Sequence, residues 1–352
     1  MKFQAGVIEG FFGRSWGWPA RLDNIDFLSG AGYQFYVYAP KADAFLRRRW
    51  REPLPAQTLL HLQELGGQCK ERGISLGVGL TPFEIYLDYD AGAQRSLRAK
   101  VEQINAVDVP MLCILFDDMR GDLDGLAGLQ ARIIDDICSW STAQHFVVCP
   151  TYYSLDPRLT RVFGSPPASY LRDLGRLLDP SIDMFWTGEK VISEGYSAAH
   201  LLDVAAAMGR KPFIWDNWIS NDTKIRTNHL FLDPAVGSWN LAAGEAAGIA
   251  INPMNQPYLS RIALRGMQAR LKKGAEQQSL EAICRDLAGS LFAKRVVADI
   301  EVLQSAGLAG LSAEMRRDLL SAYAMDNCNP YAREIAAWLR GEYVFDPQCL
   351  TA

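Results

Sequence analysis

The feature that most limits the fold of this chain is a set of short segments that are apolar at every position. Residues 111–116 read Met-Leu-Cys-Ile-Leu-Phe, without one polar side chain. A strand with one face in water alternates apolar and polar residues, whereas a strand buried on both faces is apolar throughout. Strands of the second kind belong to parallel sheets that are covered on both faces, so the sequence predicts an α/β fold.

Eight such segments recur, and segments of helical periodicity separate most of them. We predict strands at Gln4–Ile8, Gln34–Tyr38, Ile74–Leu80, Met111–Phe116, His145–Cys149, Asp183–Trp186, Pro212–Trp215 and Gly248–Ile251. We predict helices between them at Ala20–Ala31, Ala56–Arg72, Ala93–Val107, Leu123–Trp140, Ala168–Leu178 and Ala198–Met208. Eight strands within about 250 residues is the usual size of a (β/α)8 TIM barrel. An open doubly wound sheet would carry a G-x-G-x-x-G turn after its first strand, and the chain lacks one there, which favours the barrel.

The strands stop after Pro257, and the rest of the chain is typical of helices with one apolar face. We predict helices at Leu259–Lys273, Ser279–Phe292, Arg295–Ala306, Ala313–Ala324 and Ala332–Arg340. This pattern divides the chain into a barrel over residues 1–256 and a small helical region over residues 257–352. The helical region could cover the barrel or pair with a second chain, so the sequence leaves a homodimer open.

Composition argues against several kinds of partner and setting. The chain of 352 residues has a net charge of −4 and no apolar stretch of the roughly 18 residues that a membrane helix needs. We therefore expect neither nucleic acid nor a membrane among its partners. The N-terminus lacks the pattern of a signal peptide, and the seven cysteines form no C-x-x-C pair, which predicts a reduced, cytoplasmic protein. The run Arg-Arg-Arg-Trp-Arg at 47–51 is interpreted as a solvated loop.

Polar residues follow the predicted strands at the point where each strand ends. The carboxyl ends of barrel strands converge on one face, where barrel enzymes keep their active sites. Aromatic walls with a few hydrogen-bonding groups suit a sugar ring, which has apolar C–H faces and polar hydroxyls. The strand-end residues are Glu9-Gly10, Pro40-Lys41, Asp117-Asp118, Thr151-Tyr152-Tyr153, Thr187-Gly188, Asp216-Asn217 and Asn252, with Trp186 and Trp215 beside them.

The pair Asp117-Asp118 is the sharpest signal, because two acids directly after a buried strand are costly unless something uses or pairs them. Two carboxylates a few ångströms apart cannot ionise independently, so one is expected to hold a proton near neutral pH. A carboxylate beside a carboxylic acid is the pair of groups that glycoside hydrolases typically use.

Other interpretations of these residues stay open on the sequence alone. One Asp of the pair could cap the next helix while the other is a loop residue. Asp122 completes the pattern D-D-x-x-x-D, but the acid motif of that kind that binds metal belongs on a helix, and no H-E-x-x-H is present, so we expect neither metal nor cofactor. Lys41 could be a Schiff-base amine or a binding cation. Asn217 and Asp222 could serve turns only, and Gly10 could serve turn geometry only.

Eight short segments, in order over residues 6–254, together resemble glycoside hydrolase family 84, a family of β-N-acetylglucosaminidases that includes protein O-GlcNAcases and hyaluronidase-like enzymes. They are Gly6-Val7-Ile8-Glu9-Gly10-Phe11-Phe12-Gly13-Arg14, Tyr38-Ala39-Pro40-Lys41, Trp50-Arg51-Glu52-Pro53, Phe116-Asp117-Asp118, Cys149-Pro150-Thr151, Trp186-Thr187-Gly188, Trp215-Asp216-Asn217 with Asn221-Asp222, and Asn252-Pro253-Met254.

The resemblance implies a retaining exo-β-N-acetylglucosaminidase that acts without a cofactor on a glycoconjugate bearing an N-acetylhexosamine. In such enzymes the 2-acetamido oxygen of the substrate attacks C1 and forms an oxazoline. By resemblance, Asp117 orients the acetamido N–H, Asp118 is the general acid and base, and Tyr153 lies against the acetamido group. The remaining residues implied to bind the sugar are Lys41, Asn217, Asp222, Asn252, the backbone of Gly10, and Trp215 as part of the acetyl pocket.

The chain departs from the family pattern at Phe12, Ser15, Ala42, Tyr152 and Glu189, none of which is an implied catalytic group. Tyr152 and Glu189 bear on the preference for the leaving group. The alternatives are a sugar-binding barrel without turnover, a barrel specific for β-N-acetylgalactosaminides, and a hydrolase or lyase that uses Asp117, Asp118 and Asp122 to bind metal.

Overall fold

The computed structural model describes residues 3–233, 239–272 and 276–351. Eight parallel strands form a closed barrel in which each strand pairs with the next along the chain, and β8 pairs with β1. This architecture confirms the predicted (β/α)8 barrel. The strands are β1 Gln4–Glu9, β2 Phe35–Tyr38, β3 Ser75–Leu80, β4 Met111–Leu115, β5 His145–Cys149, β6 Asp183–Trp186, β7 Phe213–Asp216 and β8 Gly248–Ile251.

Helices connect these strands and then continue beyond the barrel. Local signals fix several of their ends: Asp90 accepts a hydrogen bond from the amide of Ala93 at 2.7 Å and so caps α3, and Ser197 caps α7 in the same way. None of the described helices is both long and apolar enough to cross a membrane. The helices are α1 Trp18–Ala31, α2 Ala56–Glu71, α3 Ala91–Asn105, α4 Leu126–Trp140, α5 Pro157–Phe163, α6 Tyr170–Leu177, α7 Ala198–Met208, α8 Pro257–Leu271, α9 Leu280–Ala288, α10 Ser290–Ile300, α11 Ala313–Ala324 and α12 Pro330–Leu339.

The predicted helix boundaries are wrong in one part of the C-terminal region. The predicted helix Ser279–Phe292 runs across Gly289, which has a φ of 90° and separates α9 from α10. A residue with this backbone conformation cannot continue an α-helix. α10 then passes into a turn of π-helix at Glu301–Ala306, where the sequence predicted one α-helix. The predicted end of α8 at Lys273 lies outside the described residues.

Two apolar cores lie in the described chain. The first fills and surrounds the barrel, and the second lies among the C-terminal helices around Trp338, which is fully buried. The second core also takes in Leu230 and Leu232 from the loop after β7 and Met254 from the loop after β8. A division of the chain between residues 256 and 257 into two domains stays a prediction, because this core draws on both sides of it.

Two glycines leave room for aromatic rings inside the barrel. A Cβ atom on Gly6 would lie 2.4 Å from the ring of Phe35, and one on Gly248 would lie 2.6 Å from the ring of Phe213. The rings of Phe35 and Phe213 are 5.8 Å apart. Glycine is therefore required in β1 and β8 so that these rings can fill the barrel.

We expect Gly6→Ala to lower the free energy of unfolding by roughly 1–3 kcal/mol, because the added methyl group overpacks a rigid core. Gly67→Ala is the matched control: a Cβ atom there meets no other atom within 4 Å in the middle of α2. That change should raise the free energy of unfolding by about 0.5–1 kcal/mol, since alanine favours a helix. Chemical denaturation measures both, and equal effects of the two changes would contradict this account.

Candidate active site

A pocket of about 520 Å³ opens at the carboxyl ends of the strands. Segments at or after seven of the eight strands contribute to its lining, as the polar strand ends predict. The pocket brings together all nine residues proposed from the sequence as site residues: Gly10, Lys41, Asp117, Asp118, Tyr153, Trp215, Asn217, Asp222 and Asn252. The further lining residues are Phe12, Cys149, Thr187, Val191, Ile192, Thr223, Cys349 and Thr351.

Asp117 and Asp118 follow β4 directly and are both buried. Asp118 has a φ of 56°, in the left-handed region that few residues other than glycine adopt. This backbone turn lets two adjacent side chains enter the same pocket, whereas adjacent residues of a regular strand point to opposite sides. Strained backbone of this kind is concentrated at functional sites.

Asp117 is held in place by a buried cation. Its Oδ2 forms an ion pair with the ammonium of Lys41, and both side chains are less than a tenth exposed. Its Oδ1 is buried and has no hydrogen-bond partner among the described residues. Asp117 lines the pocket and therefore carries one oxygen anchored by Lys41 and one that has no partner in the described chain.

Asp118 has a pKa raised to about 6. Burial is the largest cause, because an ionised carboxylate loses its hydration there, and the negative charge of Asp117 is the second. The cations Lys41 and Arg47 act in the opposite direction, as does the hydroxyl of Tyr153, which donates to Asp118 Oδ1 at 3.0 Å. Asp118 is thus able to gain and lose a proton near neutral pH.

A network of amides fixes the opposite wall of the pocket. Asn252 Oδ1 accepts a hydrogen bond from the amide of Gly10 at 3.1 Å, and Asn252 Nδ2 donates to Asn217 Oδ1 at 2.9 Å. The same oxygen of Asn217 accepts from the indole N–H of Trp215 at 3.0 Å. A Cβ atom on Gly10 would lie 2.4 Å from the Trp215 ring, so only glycine admits this indole. The sequence left a role in turns open for Gly10 and Asn217, and the barrel joins both of them to Asn252 and Trp215 in one network.

Asp222 enters the pocket from the loop after β7. Its Oδ2 accepts a hydrogen bond from the amide of Phe12 at 2.9 Å, and its Oδ1 accepts from the hydroxyl of Ser220 at 2.9 Å. Burial raises its pKa above the usual value. The carboxylate is therefore fixed in position before any ligand binds.

The family follows from comparison with known proteins. The sequence profile of the β-N-acetylglucosaminidase family matches residues 5–303. The chain belongs to this family. The match runs from β1 to the end of α10, so it spans all nine proposed site residues and confirms the resemblance to this family of glycoside hydrolases.

Curated relatives agree with this assignment, and a solved structure has the same fold. Protein O-GlcNAcase of Mus musculus is 29% identical over 261 residues, which cover 72% of this chain and 28% of the mouse protein. Protein O-GlcNAcase of Rattus norvegicus gives the same identity and coverage. The chain thus spans little more than a quarter of the length of these relatives. A mutant of the O-GlcNAc hydrolase of Thermobaculum terrenum superposes with a TM-score of 0.75 at 24% identity, over 97% of this chain and 75% of that protein, which shows a shared fold.

Several strand-end residues of this β-N-acetylglucosaminidase family member lie outside the pocket, among them Glu9, Asp216 and Trp186. Glu9 forms a buried two-pronged ion pair with Arg21, with both distances 2.7 Å. Asp216 accepts hydrogen bonds from Tyr196 and from the indole of Trp239, and burial raises its pKa to about 6. Trp186 donates its indole N–H to His200 at 3.0 Å, so placing it in the cleft was wrong. The polar groups of these side chains are thus engaged with other parts of the fold.

The interpretation of residues 47–51 as a solvated loop is wrong for Arg47. Its side chain is buried between the rings of Phe12 and Phe83, with its guanidinium carbon 4.8 Å from the centre of the Phe83 ring. None of its guanidinium nitrogens has a hydrogen-bond partner in the described chain. Burial lowers the pKa of Arg47, and the negative charges of Asp118 and Asp117 act on this pKa in the opposite direction. Because the chain is acidic overall, the basic run was interpreted as exposed surface charge. Nothing in the local sequence distinguishes the buried Arg47 from its exposed neighbours.

The pattern D-D-x-x-x-D does not assemble as a metal site. Asp122 is exposed and pairs with Arg120. Within residues 3–233, 239–272 and 276–351, no group of three or more His, Cys, Asp or Glu side chains is arranged to hold a metal ion. Asp122 therefore lies apart from the pocket that holds Asp117, Asp118 and Lys41.

We expect Asp118→Asn to stabilise the fold above pH 6. The folded pKa of Asp118, about 6, lies above its usual value of 3.8, so the folded state binds more protons between these values and loses stability as pH rises through this window. Removing the acid should raise the free energy of unfolding at pH 8 by roughly 1–3 kcal/mol.

Thermal unfolding at pH 8 and pH 4 measures this effect, with Asp122→Asn as an exposed control. The stabilisation should vanish at pH 4, where Asp118 is protonated in the folded state. A lower melting temperature for Asp118→Asn at pH 8 would contradict the pKa assignment.

Proposed function

We propose that this protein is a retaining exo-β-N-acetylglucosaminidase that hydrolyses terminal β-linked N-acetylglucosamine by substrate-assisted catalysis. The observation that carries the proposal is the difference between two adjacent carboxylates. Asp117 is ion-paired with Lys41, whereas the pKa of Asp118 is raised to about 6. Two acids whose environments separate their protonation are suited to separate tasks, one as an anion and one as an acid.

In the first half of the reaction, protonated Asp118 gives its proton to the glycosidic oxygen while the C1–O bond breaks. The carbonyl oxygen of the substrate's acetamido group bonds to C1 on the opposite face, and an oxazoline forms. Asp117 accepts a hydrogen bond from the acetamido N–H and stabilises the positive charge that develops on this group. The buried oxygen Oδ1 of Asp117, which has no partner in the described chain, suits this contact.

In the second half, water enters the place of the departed aglycone. Asp118, now a carboxylate, takes a proton from this water while the oxygen bonds to C1 and the oxazoline C1–O bond breaks. The β configuration is retained, because C1 has been inverted twice. The hydroxyl of Tyr153, which donates to Asp118 Oδ1, leaves Oδ2 to carry the proton.

The amide network suits the task of holding the sugar ring. Asn217 and Asn252 are already hydrogen-bonded to each other, so little freedom is lost when a ligand binds. Asp222 adds a fixed acceptor for a ring hydroxyl, and Lys41 adds a donor. Trp215, against the backbone of Gly10, provides a flat apolar surface for the acetyl group.

The seven cysteines are all free and five of them are buried, which supports a reducing, cytoplasmic setting as part of this proposal. The mouse and rat relatives are named protein O-GlcNAcases. We include O-linked N-acetylglucosamine on protein among the candidate substrates for that reason. Pairing of the helical region with a second chain stays a prediction that size measurement in solution would test.

Activity is tested with a fluorogenic β-N-acetylglucosaminide. We expect turnover by the wild type and a fall in kcat of about 10²–10⁴-fold in Asp118→Ala, which lacks the acid. Asp117→Asn should lose about 10²-fold or more, because it cannot stabilise the charged acetamido group. Circular dichroism checks that each variant is folded.

Three outcomes would contradict the proposal in different ways. Wild-type rates in both variants would refute the mechanism. Turnover of the galacto epimer alone would make the protein a β-N-acetylgalactosaminidase. Calorimetric binding of N-acetylglucosamine without hydrolysis would make it a sugar-binding barrel.

The pH profile gives a separate test of Asp118. Since the acid must be protonated in the free enzyme, kcat/KM should fall as pH rises through about 6, the pKa of Asp118. Tyr153→Phe removes a hydrogen bond that lowers this pKa, so the midpoint should move to higher pH. Tyr152→Phe is the control, because that hydroxyl donates to Gly164 at 2.7 Å, away from Asp118. A midpoint that does not move in Tyr153→Phe would contradict the assignment.

A further inference from the structure

The last described residues of the chain cross the mouth of the barrel. We call residues 346–351 the strap. At one end, Gln348 accepts a hydrogen bond from the guanidinium of Arg48, in the loop after β2, at 2.9 Å. At the other end, the carbonyl of Thr351 accepts one from Arg158, in α5 after β5, at 2.5 Å. β2 and β5 are three positions apart in a ring of eight strands, so the strap passes over the opening between them.

The bend of the strap is encoded locally. The amide of Cys349 donates to the carbonyl of Asp346 at 3.0 Å, which closes a turn with Pro347 at its second position. The carboxylate of Asp346 also accepts from the amide of Gln348 at 2.9 Å. Asp at the first position and Pro at the second are the residues that such a turn favours.

The strap turns two side chains into the pocket and keeps others outside. Cys349 and Thr351 are each only 6% exposed and belong to the pocket lining, whereas Leu350 between them is 48% exposed. Burial raises the pKa of the Cys349 thiol, and the nearby carboxylates of Asp222 and Asp118 act in the same direction. The strap therefore reaches the same space as the proposed catalytic pair.

We propose that the strap is the aglycone wall of the pocket and makes the enzyme prefer substrates with a compact aglycone. This inference rests on the proposed function, in which Asp118 meets the glycosidic oxygen. The aglycone continues from that oxygen towards the mouth of the barrel, where the strap lies. Cys349 and Thr351 lie on the surface of the pocket together with Asp118, so the strap bounds the space in which the aglycone would lie. A sugar with a small aglycone fits beneath the strap, whereas a polypeptide aglycone must displace it.

The test compares two substrates that share the sugar and differ in the aglycone: an aryl β-N-acetylglucosaminide and a protein that carries O-linked N-acetylglucosamine. Arg48→Ala combined with Arg158→Ala detaches both ends of the strap in the full chain. The ratio of kcat/KM for the glycoprotein to that for the aryl substrate should rise at least tenfold. An unchanged ratio would overturn the proposal.

A matched double variant removes the same charge without touching the strap. Arg49 forms an ion pair with Glu52 and stands next to Arg48 in the chain, while Arg161 is exposed on α5, one turn from Arg158. Arg49→Ala combined with Arg161→Ala should leave the substrate ratio at the wild-type value. A rise in this variant as large as in the first would mean that charge, and not the strap, governs the choice of aglycone.

Thiol labelling tests the position of the strap without any turnover. Cys349 is buried in the pocket and Cys328 is exposed, so mass spectrometry after brief exposure to iodoacetamide reads both in one sample. In the wild type, Cys349 should react at least tenfold more slowly than Cys328, and detaching the strap should reduce this difference.

Equal labelling of the two cysteines in the wild type would overturn the proposal that the strap covers the pocket, whatever activity is measured. Failure of the proposed function is distinguishable from this result: it would appear as no turnover of either substrate, with the labelling difference intact.

Discussion

The ion pair between Lys41 and Asp117 is the interaction on which the candidate site depends. Burying two charges is expensive, and the cost is recovered only where geometry and further contacts are good. The pair fixes Asp117 beside Asp118 in a buried place, and the negative charge of Asp117 helps to raise the pKa of Asp118. Without Lys41, the anchored oxygen of Asp117 would lose its buried ionic partner, and the carboxylate would no longer be held in one position.

Closure of the barrel makes this arrangement available, because it joins residues that are far apart in the chain. Lys41 and Asp117 are 76 positions apart, and Gly10 and Asn252 are 242 positions apart. Each is fixed by a strand end whose partner strands are set by the ring, so the pocket is rigid before a substrate binds. Rigid placement matters because a catalytic group that is displaced by even about 1 Å loses much of its effect.

The strands and most of the pocket could be predicted from the sequence, because apolar runs mark buried strands and the carboxyl ends of barrel strands meet on one face. The direction of each strand-end side chain could not. Glu9 and Asp216 have the same sequence setting as Asp117, yet their carboxylates turn to Arg21 and to Trp239, partners that only the tertiary fold supplies. Nothing in the local pattern says where Cys349 and Thr351 lie, since their place over the pocket depends on the whole course of the chain after β8.

The strap links the choice of substrate to the acidity of Asp118. Burial is the main cause of the raised pKa of that acid, and part of the covering at the mouth of the pocket comes from the strap. An aglycone that lifts the strap and does not replace its covering would let water reach Asp118, and its pKa would fall towards that of an ordinary aspartate. A smaller fraction of the molecules would then carry the proton on Asp118 at neutral pH. An aglycone that fits beneath the strap, by contrast, excludes water and keeps the pKa of Asp118 raised. The same few residues therefore favour a compact substrate twice, once by shape and once by chemistry.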